Sequence, residues 1–227
     1  MCAKVSIWLA VVCFVTALVF AALGAFGVGL SESPPRSEDI SERIVNNFET
    51  YEEDYLLWGR WIDLGWALGF AGLLIAAPFL PRVDRARHML VAGAALAVAG
   101  DLIDLSKLAG IEIARIGLDN DLADTFAAGN AFRSAINATS TYVWITGLFL
   151  FALGLLVLAR DSTDRRWREL SYVLAGSSVA VGITGPWTGS PFPEAATTLF
   201  TVALVLWGVK AATLAGDGIK SFDQASP

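Results

Sequence analysis

Five ionisable side chains stand in stretches that are otherwise almost wholly apolar. They are Arg60 and Asp63, three residues apart, and Asp101, Asp104 and Lys107, again at intervals of three. Such intervals keep each set on one face of a helix. Charged groups inside an apolar, membrane-length helix are expensive, turn toward the bundle interior and by default mark ligand, ion or proton paths. Two cations against three carboxylates leave one carboxylate over. Asp101, the deepest of the five, is the natural remainder. Two chemistries follow from this set. One is an ion-pair network that locks two helices together. The other is a ligand or ion site on the same residues, with proton relay through Asp101 as its sharpest form. Trp66, three residues beyond Asp63, lies deeper than an interfacial aromatic belt requires and is a candidate pocket wall.

Those residues need helices to hold them at a common depth. Of the 227 residues, 55% are hydrophobic and 17% charged, with mean hydropathy +0.58, whereas ordinary soluble domains are about a quarter charged. About 20 apolar residues cross a hydrocarbon core of about 30 Å, and the pattern predicts six spans, at about 5–30, 57–80, 89–110, 141–159, 170–187 and 195–215. The second descends and the third ascends across a short turn, so they are neighbours. At about 1.5 Å per residue, Arg60 comes level with Lys107, and Asp63 with Asp104. At least one ion pair between the two spans is therefore expected. The expected fold is all-α, a single polytopic bundle.

Orientation comes from the arginines. The turns 81–88 and 160–168 hold seven of them (Arg82, Arg85, Arg87, Arg160, Arg165, Arg166, Arg168), and short Arg-rich loops stay cytoplasmic. Both termini are then inside, with outer loops at 31–56, 111–140 and 188–194. A cleaved signal peptide competes for the first segment, but its 26-residue uncharged run exceeds the 7–15 residues of a signal core. In the first outer loop, Ile40, Ile44, Phe48, Tyr51 and Tyr55 recur at helical spacing among eight acids and two arginines. An amphipathic helix over about 38–55, capped by Ser37, is expected to dock on the bundle. The second outer loop is too polar to span, with a short surface helix expected on Leu118, Leu122 and Phe126.

What is missing narrows the chemistry. One histidine, His88, and two cysteines, Cys2 and Cys13, are too few for a bis-histidine haem, a Cys/His zinc site or an iron–sulfur cluster built from this chain alone. No metal site, cofactor or catalytic residue is assigned. Net charge of −6 argues against a nucleic-acid partner. Val98-Ala-Gly-Asp101 lacks the first glycine of the Gly-x-Gly-Asp used by intramembrane aspartyl proteases. Lys107 would compete with a magnesium ion at Asp101 and Asp104. Lys210 is too near the end of a sixth span to carry retinal.

Arg60-x-x-Asp63-Leu64, the run Gly147–Gly154, the aromatic Trp167 in a basic loop and the pair Leu206-Trp207 together resemble a family of uncharacterised bacterial six-helix integral membrane proteins. An acidic residue expected shortly before Leu206-Trp207 is absent. The resemblance implies a bacterial inner membrane and no known activity. The leading reading is a non-enzymatic inner-membrane protein, a small binding or transport component or an accessory subunit of a larger assembly, with Arg60, Asp63, Trp66, Asp101, Asp104 and Lys107 as candidate ligand-binding residues. Its partners would be membrane lipids, other membrane subunits or a second copy. The alternative is a membrane enzyme acting on a lipid or quinone-like substrate at the same cluster.

Overall fold

The computed structural model describes residues 2–28, 39–54, 56, 59–77, 84–184 and 191–224. Among these there are eight helices and no strand: α1 (Cys2–Val28), α2 (Ile40–Asp54), α3 (Arg60–Ala76), α4 (Asp84–Leu105), α5 (Lys107–Asp119), α6 (Ala123–Asp161), α7 (Arg165–Thr184) and α8 (Pro191–Gln224). Helices α4 and α5 run on as one rod, Arg85–Asp119. This rod and α6 are the two helices, among the described residues, long and apolar enough to cross a membrane; Trp8–Phe20 and Ala196–Ala211 are shorter apolar stretches. Arg82, Ser37, Trp58, Trp187 and the loop residues 188–190 lie outside the described residues.

The rod and α6 form an antiparallel hairpin closed by glycines. A Cβ on Gly93 would strike the backbone of Phe151, and one on Gly147 would lie 2.7 Å from the backbone nitrogen of Ala97. Farther along, Gly110 faces Arg133, and Gly129 faces Ala114. Small residues at such crossings let two backbones approach closely, the usual device of membrane helix pairs. The pairing slips by one residue between Gly100–Trp144 and Gly110–Arg133. Ser106 sits in that interval: its backbone nitrogen donates to Ile103 O at 3.0 Å, and its Oγ to the same oxygen at 2.6 Å. That tight turn separates α4 from α5.

The second outer loop is therefore a correction. Residues 111–140 are helical except for a turn at 120–122. The turn is a Schellman motif: Leu122 N donates to Gly117 O at 2.8 Å and Asp121 N to Leu118 O at 3.3 Å, with Asp121 at φ 55°. Aspartate tolerates that left-handed conformation better than most residues. Leu122 is half exposed rather than part of a buried stripe. The polar residues of this segment do not break the helices, because their apolar and small neighbours still have a facing helix to pack on.

Helix α2 docks on the tip of the hairpin. Phe48 is buried with Ile111 and Ala114 and meets Phe126 edge to face at 5.3 Å, while Ile44 is exposed; the side chains of Ile40 and Tyr51 lie outside the described residues. Asp39 caps the described start of the helix, accepting from the backbone nitrogen of Ser41 at 2.7 Å. Those backbone and hydroxyl donors hold the Asp39 carboxyl below its usual range, the Ser41 side chain contributing most. Glu52 turns inward to Arg115 at 3.6 Å, and burial pushes its carboxyl up despite that cation.

At the opposite end, α7 starts on a cap from Asp164, which accepts from Arg166 N at 2.9 Å and Trp167 N at 3.2 Å. Because Gly154 faces Leu90, the start of α4 and the end of α6 share this end, so Arg85, Arg87, Arg160, Arg165, Arg166 and Arg168 gather there. Lys210 of α8 reaches Asp164 at 3.7 Å. Helix α1 belongs to the core: Ala10 and Phe14 are fully buried and pack on Gly72 of α3, with Phe14 also against Gly208 of α8.

Candidate functional site

The hairpin register brings Asp104 beside Ser140, whose hydroxyl donates to Asp104 Oδ1 at 2.5 Å. Lys107, one turn on, forms an ion pair with Asp104 of its own rod and donates to Asn137 Oδ1 of α6 at 3.2 Å. Lys107 is 5% exposed, so its ammonium depends on these partners; stranding either charge would be strongly destabilising. Two hydrogen bonds thus cross between the rod and α6 here, one donated from each side.

Helix α3 contributes the other side. Asp63 and Trp66 stand one turn apart on the face toward α4 and α8. Trp66 Nε1 donates to Thr201 Oγ1 at 3.2 Å, and its ring stacks on Trp144 at 4.9 Å with 18° between the planes. Phe200 closes on it edge to face at 6.1 Å. Gly100 permits this: a Cβ there would lie 2.8 Å from Trp144 Cβ, so any larger residue would push the indole out of the stack.

These groups enclose a partly open cavity of about 250 Å³. Asp63, Trp66, Gly100, Asp101 and Asp104 line it from α3 and α4; Asn137, Ser140, Thr141, Trp144 and Ile145 from α6; Val181 and Thr197 complete it. Two of its lining residues hold buried polar atoms without a hydrogen-bond partner: Asp101 Oδ2 and Trp144 Nε1. Asp101 is 4% exposed, and the carboxylates of Asp63 and Asp104 add like-charge repulsion. Buried polar atoms are nearly always paired, so two orphans on residues that line one cavity, an acceptor and a donor, leave bonding capacity there unspent.

Four of the six candidate residues read from the sequence, Asp63, Trp66, Asp101 and Asp104, line this one cavity. Lys107 stands behind it, bound to Asp104. Arg60 is set apart: its guanidinium lies 5.3 Å from the centroid of the neighbouring Trp61 ring, and its Nε is buried without a partner. Sequence reasoning missed Asn137, Ser140, Thr141, Trp144 and Thr197. The signal was present in Arg133, Asn137, Ser140 and Trp144, which follow at intervals of four, three and four, one helical face. Among the described residues no three His, Cys, Asp or Glu side chains gather closely enough to hold a metal ion.

No protein-family model matches the chain, and no curated protein and no solved structure is significantly similar to it. The function has to be argued from the cavity.

Proposed function

We propose that this chain is a bacterial inner-membrane protein of six spans with both termini cytoplasmic, and that it binds or passes a small positively charged solute, or a proton, through the Asp101 cavity. It would act as a compact binding or transport component, alone or as an accessory subunit of a larger assembly. The observation that carries this reading is Asp101 Oδ2, buried and unpartnered on a residue that lines a cavity, with an unpartnered indole donor on a second lining residue, Trp144. A helix lock would leave its charges paired and its interior closed.

The surface supports the membrane setting. Large apolar side chains stand exposed on the flanks of the bundle, among them Trp8, Val12, Leu102, Leu153, Ile183, Leu199 and Leu206. Exposed apolar surface on that scale marks a protein or membrane contact. The arginines cluster at one end, where the positive-inside rule puts the cytoplasm. The 39-residue α6 is about 57 Å long, nearly twice a hydrocarbon core. Its first half, with α5 and α2, would then stand clear of the outer surface as a small cap above the cavity.

The test is thiol labelling in spheroplasts, with Cys2 and Cys13 replaced by alanine. Thr141→Cys, in the cavity wall, is expected to react with an impermeant maleimide added outside. Thr163→Cys, in the arginine-rich turn, is expected to react only after permeabilisation. Labelling of both from the same side, or protection of Thr141→Cys on both sides, would overturn the reading.

A further inference from the structure

The cavity's chemistry narrows what it can take. Asp101 Oδ2 asks for a cationic N–H donor, which forms the stronger, charge-assisted kind of hydrogen bond. Trp144 Nε1 is a donor only, so the same guest must also present an acceptor. A metal ion would answer the carboxylate but not the indole, since it accepts no hydrogen bond, and among the described residues no three carboxylates gather closely enough to hold one. Besides Asp63 and Asp104, the other polar walls are the amide and hydroxyl groups of Asn137, Ser140, Thr141 and Thr197. A volume of about 250 Å³ falls below the ~300–1,000 Å³ of ordinary ligand pockets and admits a molecule of few heavy atoms. The stacked Trp66–Trp144 pair offers an apolar, electron-rich wall that favours an alkylammonium carbon chain.

We infer, resting on the reading of this cavity as a binding site, that its ligand is a small primary ammonium compound that also carries an acceptor oxygen, of the amino-alcohol class. Its ammonium donates to Asp101 and its oxygen accepts from the Trp144 indole. This chemistry occurs both in free amino alcohols and in phospholipid headgroups.

The experiment is isothermal titration of the purified full-length protein, in detergent and amine-free buffer, with ethanolamine, methylammonium and the uncharged isostere ethylene glycol. Ethanolamine is expected to bind, and ethylene glycol at least about tenfold more weakly, because it lacks the charge. Asp101→Asn is expected to weaken ethanolamine about ten- to hundredfold while keeping the elution profile and helical content. Trp144→Phe is expected to weaken ethanolamine several-fold and leave methylammonium unchanged, which provides an independent arm should Asp101→Asn fail to fold. Equal binding of ethylene glycol, undiminished binding by Asp101→Asn, or no binding of ethanolamine would overturn the assignment. If thiol labelling of Thr141→Cys from outside persists in that case, the ligand class alone has failed and the site has not. Repeating the titration in nanodiscs separates the sources. Competition by phosphatidylethanolamine, relative to phosphatidylcholine, assigns the headgroup, and its absence the free amine.

Discussion

Two pairs of stacked tryptophans sit at opposite ends of the same bundle, and they have opposite fates. At the arginine-rich end Trp167 and Trp207 stack at 4.6 Å, and Trp207 Nε1 donates at 2.9 Å to Ser171 Oγ, which itself donates to Trp167 O at 2.9 Å. The Trp207 indole and the Ser171 hydroxyl are both answered, and Trp207, Trp167 and Ser171 are all buried. At the acidic end Trp66 and Trp144 stack at 4.9 Å, but Trp144 Nε1 finds no acceptor and Asp101 beside it no donor. One stack is a lock with its hydrogen bonds closed internally. The other uses the same building block to wall a cavity with its bonding capacity left unspent, and proteins keep such local defects where function needs them.

The largest expected effect breaks the lock. Trp207→Ala removes a fully buried indole and should cost about 3–5 kcal/mol in detergent unfolding titrations. Trp144→Ala, which faces existing empty space, should cost clearly less. Similar losses at both sites would erase the distinction between the two ends. Next comes the seam that joins them. Gly93→Ala drives a methyl into the backbone at Phe151 and should cost about 1–3 kcal/mol by overpacking. Gly176→Ala, with nothing within 4 Å, should stabilise by up to ~1 kcal/mol through helix propensity. The same titrations read both.

Much of the acidic end was legible in the sequence, because depth in a helix is arithmetic. Counting rises from the ends of two predicted spans brought Asp63, Asp101 and Asp104 to nearby depths, and helical spacing put each set on one face. The opposing wall was not legible. Asn130, Arg133, Asn137 and Ser140 look like a loop when polarity is weighed against span length. They lie on α6 because Gly129 and Gly147 hold it against the rod over its whole length. The turn at Asp121 was hidden for a related reason: a Schellman motif completed by aspartate rather than glycine carries a weak signature. Lys107 shows a third limit. Depth set it level with Arg60 and pointed to partners across the spans, which left out the Asp104 carboxylate one turn away on its own rod, with which it forms an ion pair.

A smaller effect sharpens the picture of the cap above the cavity. Burial raises the Glu52 carboxyl pKa, so the docked state binds protons more readily than the free one. Its contribution to α2 docking should therefore be most favourable at low pH and decline as pH rises through the range just above 4.5, its ordinary value. Hydrogen exchange of α2 amides against pH should show that slope. Glu52→Gln should flatten it, and a slope that survives the substitution would place its origin elsewhere.

The smallest expected effect is also the most direct test. Asp101→Asn keeps the shape of the side chain and removes a buried charge, so its melting temperature in detergent should equal or exceed that of the unmodified protein. Ser171→Ala, which strands the Trp207 indole, should lower it, at a cost of about 1–3 kcal/mol. A fall for Asp101→Asn as large as that for Ser171→Ala would show that the carboxylate is a structural strut and contradict the account.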